Sequence, residues 1–296
     1  MDIPSPSLRP LPPLLEMTTA GLLERYALGE RDFRGIQLIG ADLAHQDLSG
    51  ANFRQANLQN TKFAGATLVG ANFRETKLTD TNFDQATLIL ANLIGADLTD
   101  ASLVGADLSE AGLRSVHLVR ANLSQAVLRE ANLNEASFDH ATASQAIFSD
   151  ASLGRARLLE TDLQGANLDH ANLTNALMNR ANLQGASLVG ACLSGATLEG
   201  IDFRQADLSR AMMMGTTLVN ANLAQANLRG TNLSWSSLRG VNLQGATLYR
   251  TRLSWSNLSG ADLTDAVIIN AKLDYTNLHH TDGMEALRSD GFSSKG

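Results

Sequence analysis

Six histidines and one cysteine are the residues of this chain best suited to acid–base, nucleophilic or metal chemistry. Such chemistry needs partners at set spacings: two histidines on one helix face with a carboxylate between them, a serine on a glycine-flanked turn, or a glycine-rich loop for phosphate. None of these patterns occurs. His45, His117, His140, His170, His279 and His280 are scattered, and only the last two adjoin. Cys192 alone allows neither a disulfide framework nor a paired thiolate site. The residues therefore argue against an enzyme and imply no cofactor and no metal centre.

The elements that would have to position any site are set by one repeat. A large apolar residue stands at every number ending in 3 or 8 from Phe33 to Leu278: 38 Leu, 8 Phe, Met178, Met213, Ile268 and a single Ala143. Two residues earlier 34 of the fifty positions hold Ala, and Asn or Asp commonly lies between, as in Ala51-Asn52-Phe53 and Ala121-Asn122-Leu123. On an α-helix a period of five scatters these residues around the cylinder, and on a strand it alternates faces. Burying all of them requires the chain to turn the same way every five residues. Successive coils must then stack through backbone hydrogen bonds, about 4.8 Å apart. Asp32-Phe33-Arg34, Asn52-Phe53-Arg54 and Asn72-Phe73-Arg74 recur at twenty residues, as do Ser234-Trp235-Ser236 and Ser254-Trp255-Ser256, so the coil is twenty residues long.

These tandems resemble the pentapeptide-repeat family. The resemblance implies an all-β fold: a right-handed quadrilateral parallel β-helix, a solenoid of about twelve coils. Four segments are expected. Residues 1–17 hold all five prolines and read as a disordered arm. Residues 18–30 read as a short N-terminal capping helix, with Thr18 or Thr19 as N-cap and Gly29 as terminator. Residues 31–280 form the β-helix, and residues 281–296 a C-terminal cap and tail, with a turn or helix around Gly283-Met284-Glu285-Ala286-Leu287-Arg288. The phrase from Leu22 to Phe33 is similar to cyanobacterial members. The inward Gln46 needs a polar partner, expected from the helix or a water.

The register also makes claims about the interior. Phe33, Phe53 and Phe73 are expected to stack, as are Phe63 and Phe83. Ala143 leaves a hole, and Phe138 and Phe148 on the adjacent faces of its coil are expected to fill it.

Outward residues twenty apart stand above one another, and four columns stand out. Trp235, Trp255 and Tyr275 form one, with Tyr249 and Ile269 on the face before it; exposed aromatics are frequent interface anchors. Arg34, Arg54, Arg74 and Arg114 form a second, with Ile94 in the gap. Like charges so stacked repel, so they need nearby acids or an anionic partner, and Glu75 is the local candidate. Glu110, Glu130 and Asp150, continuing to His170, form a third, with Arg120 and Arg129 expected to neutralise it. Val69, Ile89, Leu90 and Ile94 make a small apolar patch.

Net charge −7 with pI near 5.3 argues against direct nucleic-acid binding. No stretch of 18 apolar residues or signal-like start appears, so a cytoplasmic protein away from membranes is expected. The composite expectation is a non-enzymatic protein-interaction scaffold or regulator with an unidentified protein partner. The family resemblance implies a precedent in cell-differentiation control among cyanobacterial members. It also implies an alternative: a DNA mimic, negatively charged and dimerising end to end, that binds DNA gyrase. A third reading is a structural rod that associates with its own copies, a homodimer among them.

Overall fold

A computed structural model describes residues 17–283 of the chain. From Asp32 onward the backbone pairs with itself in parallel, and every bridge joins residues twenty apart, from Asp32–Asn52 to Asp262–Asp282. The Phe33 amide donates forward to the Asn52 carbonyl at 2.8 Å, while the Asn52 amide donates back to the Arg31 carbonyl at 2.7 Å. That alternation is a parallel ladder, here only a residue or two wide before the chain turns. The result is a parallel β-helix with a twenty-residue coil.

The turns explain the period. The Ala51 amide donates to the Leu48 carbonyl at 3.1 Å, closing a four-residue turn over Ser49 and Gly50. Every residue whose number ends in 0 or 5, from Gly35 to His280, has φ between 55° and 71°. Positive φ at the third turn position is what a type II turn requires. Glycine enters that region freely, whereas other residues meet a cost of roughly 1–2 kcal/mol. The Asn or Asp of the repeat offsets part of it locally. Asn52 Oδ1 accepts from the Arg54 amide at 3.2 Å and Asn72 Oδ1 from the Arg74 amide at 3.1 Å, bracing the approach to each corner.

Inside, the Ala and Leu positions are buried along the helix as far as Ala271, and Leu273 and Leu278 of the last coil are half-buried. Where threonine replaces the small Ala, its hydroxyl commonly reaches a carbonyl 23 residues back: Thr76 Oγ1 donates to Phe53 O at 2.7 Å and Thr251 Oγ1 to Leu228 O at 2.7 Å. Buried hydroxyls are thereby satisfied without interrupting the ladder. Phe33, Phe53 and Phe73 stack at centroid separations of 5.8 and 5.3 Å, and Phe63 and Phe83 at 5.0 Å. Phe138 and Phe148 meet edge to face at 6.1 Å, with Ala143 buried in the same coil.

Helix α1 (Thr19–Ala27) lies against the first coil. Thr18 is its N-cap, accepting from the Gly21 amide at 3.1 Å, and Gly29 follows its end at φ 96°. Leu22 is fully buried, Tyr26 Oη donates to the Ser49 carbonyl at 2.9 Å, and the Arg31 guanidinium lies 3.6 Å from the Tyr26 ring centre. Gln46 does not use this helix. Its Nε2 donates to the Ala44 carbonyl at 3.3 Å, because a half-buried side chain at the turn finds its nearest acceptor in its own loop. The proline-rich arm up to Glu16 and the expected C-terminal turn or helix from Met284 onward lie outside the described residues.

Candidate functional site

Three aromatic side chains form one corner column in the last coils. The Trp235 and Trp255 rings are parallel within 1° at 5.0 Å, and Tyr275 continues the stack at 4.2 Å and 19°. All three occupy the left-handed turn position, at φ 64°, 63° and 57°. They remain 61%, 49% and 75% exposed. Bulky residues rarely adopt this backbone, and their stacking returns part of what the backbone costs.

Tyr249 and Ile269 sit on the preceding corner, across one face from the tryptophans. Tyr249 is half-buried between Arg229 and Arg250, whose guanidinium carbons lie 5.1 and 5.0 Å from its ring centre. Ile269, one coil on, is exposed. The structure thus brings the three stacked aromatics together and leaves this pair as a separate cluster.

The arginine column has its own partners. Arg34 pairs with Asp32 at 2.6 Å, Arg54 and Arg74 share Glu75 at 3.5 and 3.0 Å, and Arg114 pairs with Glu135 at 3.1 Å. Hydrogen bonds from Arg74 and Gln55 hold the Glu75 carboxyl below its ordinary value, and that from Arg34 does the same for Asp32. Glu75 serves as the sequence suggests, and no external anion is needed. Ile94, in the gap, is half-buried.

The acidic column is not neutralised as expected. Arg120 turns to Asp100 at 2.5 Å, and Arg129 Nη1 donates to Ser149 Oγ at 2.9 Å. Glu110, Glu130 and Asp150 stay exposed, in no ion pair among the described residues. In the apolar patch Leu90 is 57% exposed at φ 60°, while Val69 and Ile89 are half-buried.

Two features escaped the sequence reading. Met212 and Met214 are 50% and 48% exposed, one coil before Trp235 on the same face. Residues twenty-one apart touch on this helix, as Arg54 and Glu75 do, so the register sets Met214 beside Trp235. The second feature is charge segregation. Between Leu208 and Ala261 the chain has five arginines (Arg210, Arg229, Arg239, Arg250, Arg252) and no Asp or Glu. None of the five is in an ion pair among the described residues, in contrast to the column at Arg34. The acid-free stretch was visible in sequence, and the signal was the spacing of carboxylates, not the net charge.

The histidines are all exposed; the rings of His279 and His280 meet edge to face at 3.9 Å. No cluster of three or more metal-ligating side chains exists among the described residues. Cys192 is half-buried beside Thr174 Oγ1 at 3.3 Å; burial pushes its thiol up, but hydrogen bonds with Thr174 and Ser194 bring it below the ordinary value. A shallow groove of about 350 Å³ over Gly154, lined by Arg114, Glu135, Arg155 and Asn175, is open to solvent. No helix among the described residues is long and apolar enough to cross a membrane.

A family model described as "Pentapeptide repeats (8 copies)" matches the chain in overlapping segments from residue 36 to 282. No curated protein matches the chain. Among solved structures, HetL, described as a pentapeptide repeat protein involved in heterocyst differentiation regulation in the cyanobacterium Nostoc sp. PCC 7120, is 32% identical. The match covers 90% of this chain and 98% of that one, with a TM-score of 0.35. Rfr23 of the cyanobacterium Cyanothece 51142 is 25% identical over 43% of this chain and 90% of its own, at a TM-score of 0.30. QnrB1, described as a plasmid-mediated fluoroquinolone resistance protein, is 19% identical over 69% and 92%, at 0.39.

Proposed function

The chain belongs to the pentapeptide-repeat family, and from that premise we propose that it is a non-enzymatic scaffold that binds a regulatory protein through its aromatic corner. Members of the family form right-handed β-helices. The four-sided section and the count of about twelve coils belong to the proposal, supported by bridges at twenty residues and a turn every five.

The observation that carries the reading is the column Trp235–Trp255–Tyr275. Three large aromatics occupy backbone positions that disfavour them, while remaining half exposed or more. Strained, exposed aromatics that support only one another make sense when a partner covers them. Met212 and Met214 extend the apolar strip, and exposed Arg252 and Lys272 flank it. The partner therefore presents apolar side chains among acidic ones. HetL, with its printed role in heterocyst differentiation regulation, is consistent with a regulatory client.

The DNA-mimic alternative needs a continuous acidic face. Five unpaired arginines without a carboxylate between Leu208 and Ala261 interrupt any such face, which places gyrase second. Residence in the cytoplasm is part of the same proposal.

The test is affinity capture from the native extract with the tagged wild type beside a Trp235→Ala/Trp255→Ala double variant. Capture of a regulator by the wild type alone establishes the scaffold and its site. Gyrase subunits bound equally by both proteins would replace this reading with the mimic. Recovery of the tagged chain alone would leave a self-associating rod.

A further inference from the structure

We propose that two copies of this chain associate side by side and antiparallel along the corner that carries Glu110, Glu130 and Asp150 in its first half and Arg210 and Arg250 in its second. This surface is the corner before the aromatic face and does not depend on the aromatic site.

The column of residues at this corner reads Leu90, Glu110, Glu130, Asp150, His170, Gly190, Arg210, Gly230, Arg250, Asn270. The coils hold it in line: the Glu110 amide donates to the Arg129 carbonyl at 2.8 Å and the Arg210 amide to the Arg229 carbonyl at 2.9 Å, each reaching the next coil. All the charged side chains of this column are exposed, and neither its acids nor its arginines have an ion-pair partner among the described residues. Other charges on the helix do pair internally, as Arg120 does with Asp100 and Arg157 with Asp139 at 2.7 Å. This edge therefore carries an unpaired acidic run in one half and unpaired arginines in the other.

A two-fold axis perpendicular to the helix makes each column face itself reversed. Placed between His170 and Gly190, it sets Asp150 opposite Arg210 and Glu110 opposite Arg250 of the second copy. Glu130 faces Gly230, whose missing side chain leaves room for the carboxylate to reach the neighbouring Arg229. In the adjacent column Ile89 faces Ile269, Ser109 faces Tyr249, and exposed Leu90 lies at the same end. The one like-charge meeting, Arg129 with Arg229, has Glu130 beside it. Acid meets base in the middle and apolar meets apolar at both ends, over about 43 Å of edge at the coil spacing. Complementarity of this kind fixes orientation and register as well as attraction. Both halves lie on one chain, so the occupant is a second copy.

Sedimentation equilibrium of the full chain across a hundredfold concentration range tests this. The wild type is expected to approach twice its monomer mass, with the dimer weakening as salt rises. Arg250→Glu should weaken association roughly tenfold or more, since it replaces two attractive pairs by two repulsive ones. Glu110→Arg combined with Arg250→Glu should restore it to within a few-fold of wild type. Matched melting curves show that each variant is folded. A wild type that stays monomeric, an Arg250→Glu protein that dimerises as well as wild type, or a double variant no better than either single one would each overturn the proposal. Trp235→Ala serves as the control: it should leave the dimer intact while weakening client capture, so failure of one reading is distinguishable from failure of the other.

Discussion

The indoles of Trp235 and Trp255 lie parallel within 1° at 5.0 Å, each on a residue with φ above 60°. Their facing surfaces cover each other, and Trp235 remains 61% exposed. The gap between them is too small to admit a nucleic-acid base or another ring, so nothing intercalates between the two indoles. These are the only tryptophans of the chain, which makes the site self-reporting.

A double-mutant cycle on this pair should give a coupling of about 0.5–1.5 kcal/mol, the usual worth of an aromatic pair beyond its buried area. Replacing Trp255 by Gly also relieves the left-handed backbone, so the single change should cost less than Trp255→Ala. Chemical denaturation followed by far-ultraviolet dichroism measures both. A coupling near zero would mean that the stack forms only when the partner is bound.

The buried threonines should behave differently. Thr76 lies in the core, and its hydroxyl donates to the Phe53 carbonyl at 2.7 Å. Thr76→Val keeps the shape and removes the donor, at an expected cost of about 1 kcal/mol in urea unfolding. A Val protein as stable as wild type would show that the turn hydrogen bond from the Ala56 amide alone satisfies that carbonyl.

Most of the fold was legible because one constraint recurs. A chain that turns at every fifth residue has two inward positions, and Leu38 or Ala51 can occupy them in no other register. The ion pairs were harder to read. Reasoning by columns compares residues twenty apart, but the arginines find acids at other offsets: Arg34 reaches Asp32, Arg54 reaches Glu75, and Arg157 reaches Asp139. A long side chain leaning along or across the turn selects among these, and spacing alone does not say which. Met212 and Met214 were obscured by Met213 between them, a core residue in a run where only the phase separates inside from outside.

Acid should weaken the arginine column. The Glu75 carboxyl, hydrogen-bonded by Arg74 and then by Gln55, titrates below the ordinary glutamate value. A carboxyl depressed in the folded state stabilises it above the unfolded value, and that contribution is lost as pH falls through the folded one. Wild type should therefore melt slightly above Glu75→Gln at neutral pH, and the two curves should converge below about pH 4. Melting followed at several pH values decides this, and a gap that persists in acid would mean the glutamine variant is damaged in some other way. The same pairing bears on Arg54→Glu with Arg74→Glu, which would crowd three carboxylates at Glu75 and lower the melting temperature.

The strictest check on the interior is Ala143. It is the one small residue among the large inward positions, and the Phe138 and Phe148 rings meet at 6.1 Å in its coil. If they occupy the space a leucine would take, Ala143→Leu forces both rings off their rotamers and costs about 1–3 kcal/mol. Shrinking a neighbour should compensate, so Ala143→Leu with Phe148→Leu should recover much of the loss and exceed the stability expected from adding the two single changes. Phe148→Leu alone leaves a void and should be destabilising as well. Urea unfolding of the three variants measures the coupling. Strict additivity would show that the leucine at residue 143 and the ring at residue 148 never compete for the same volume.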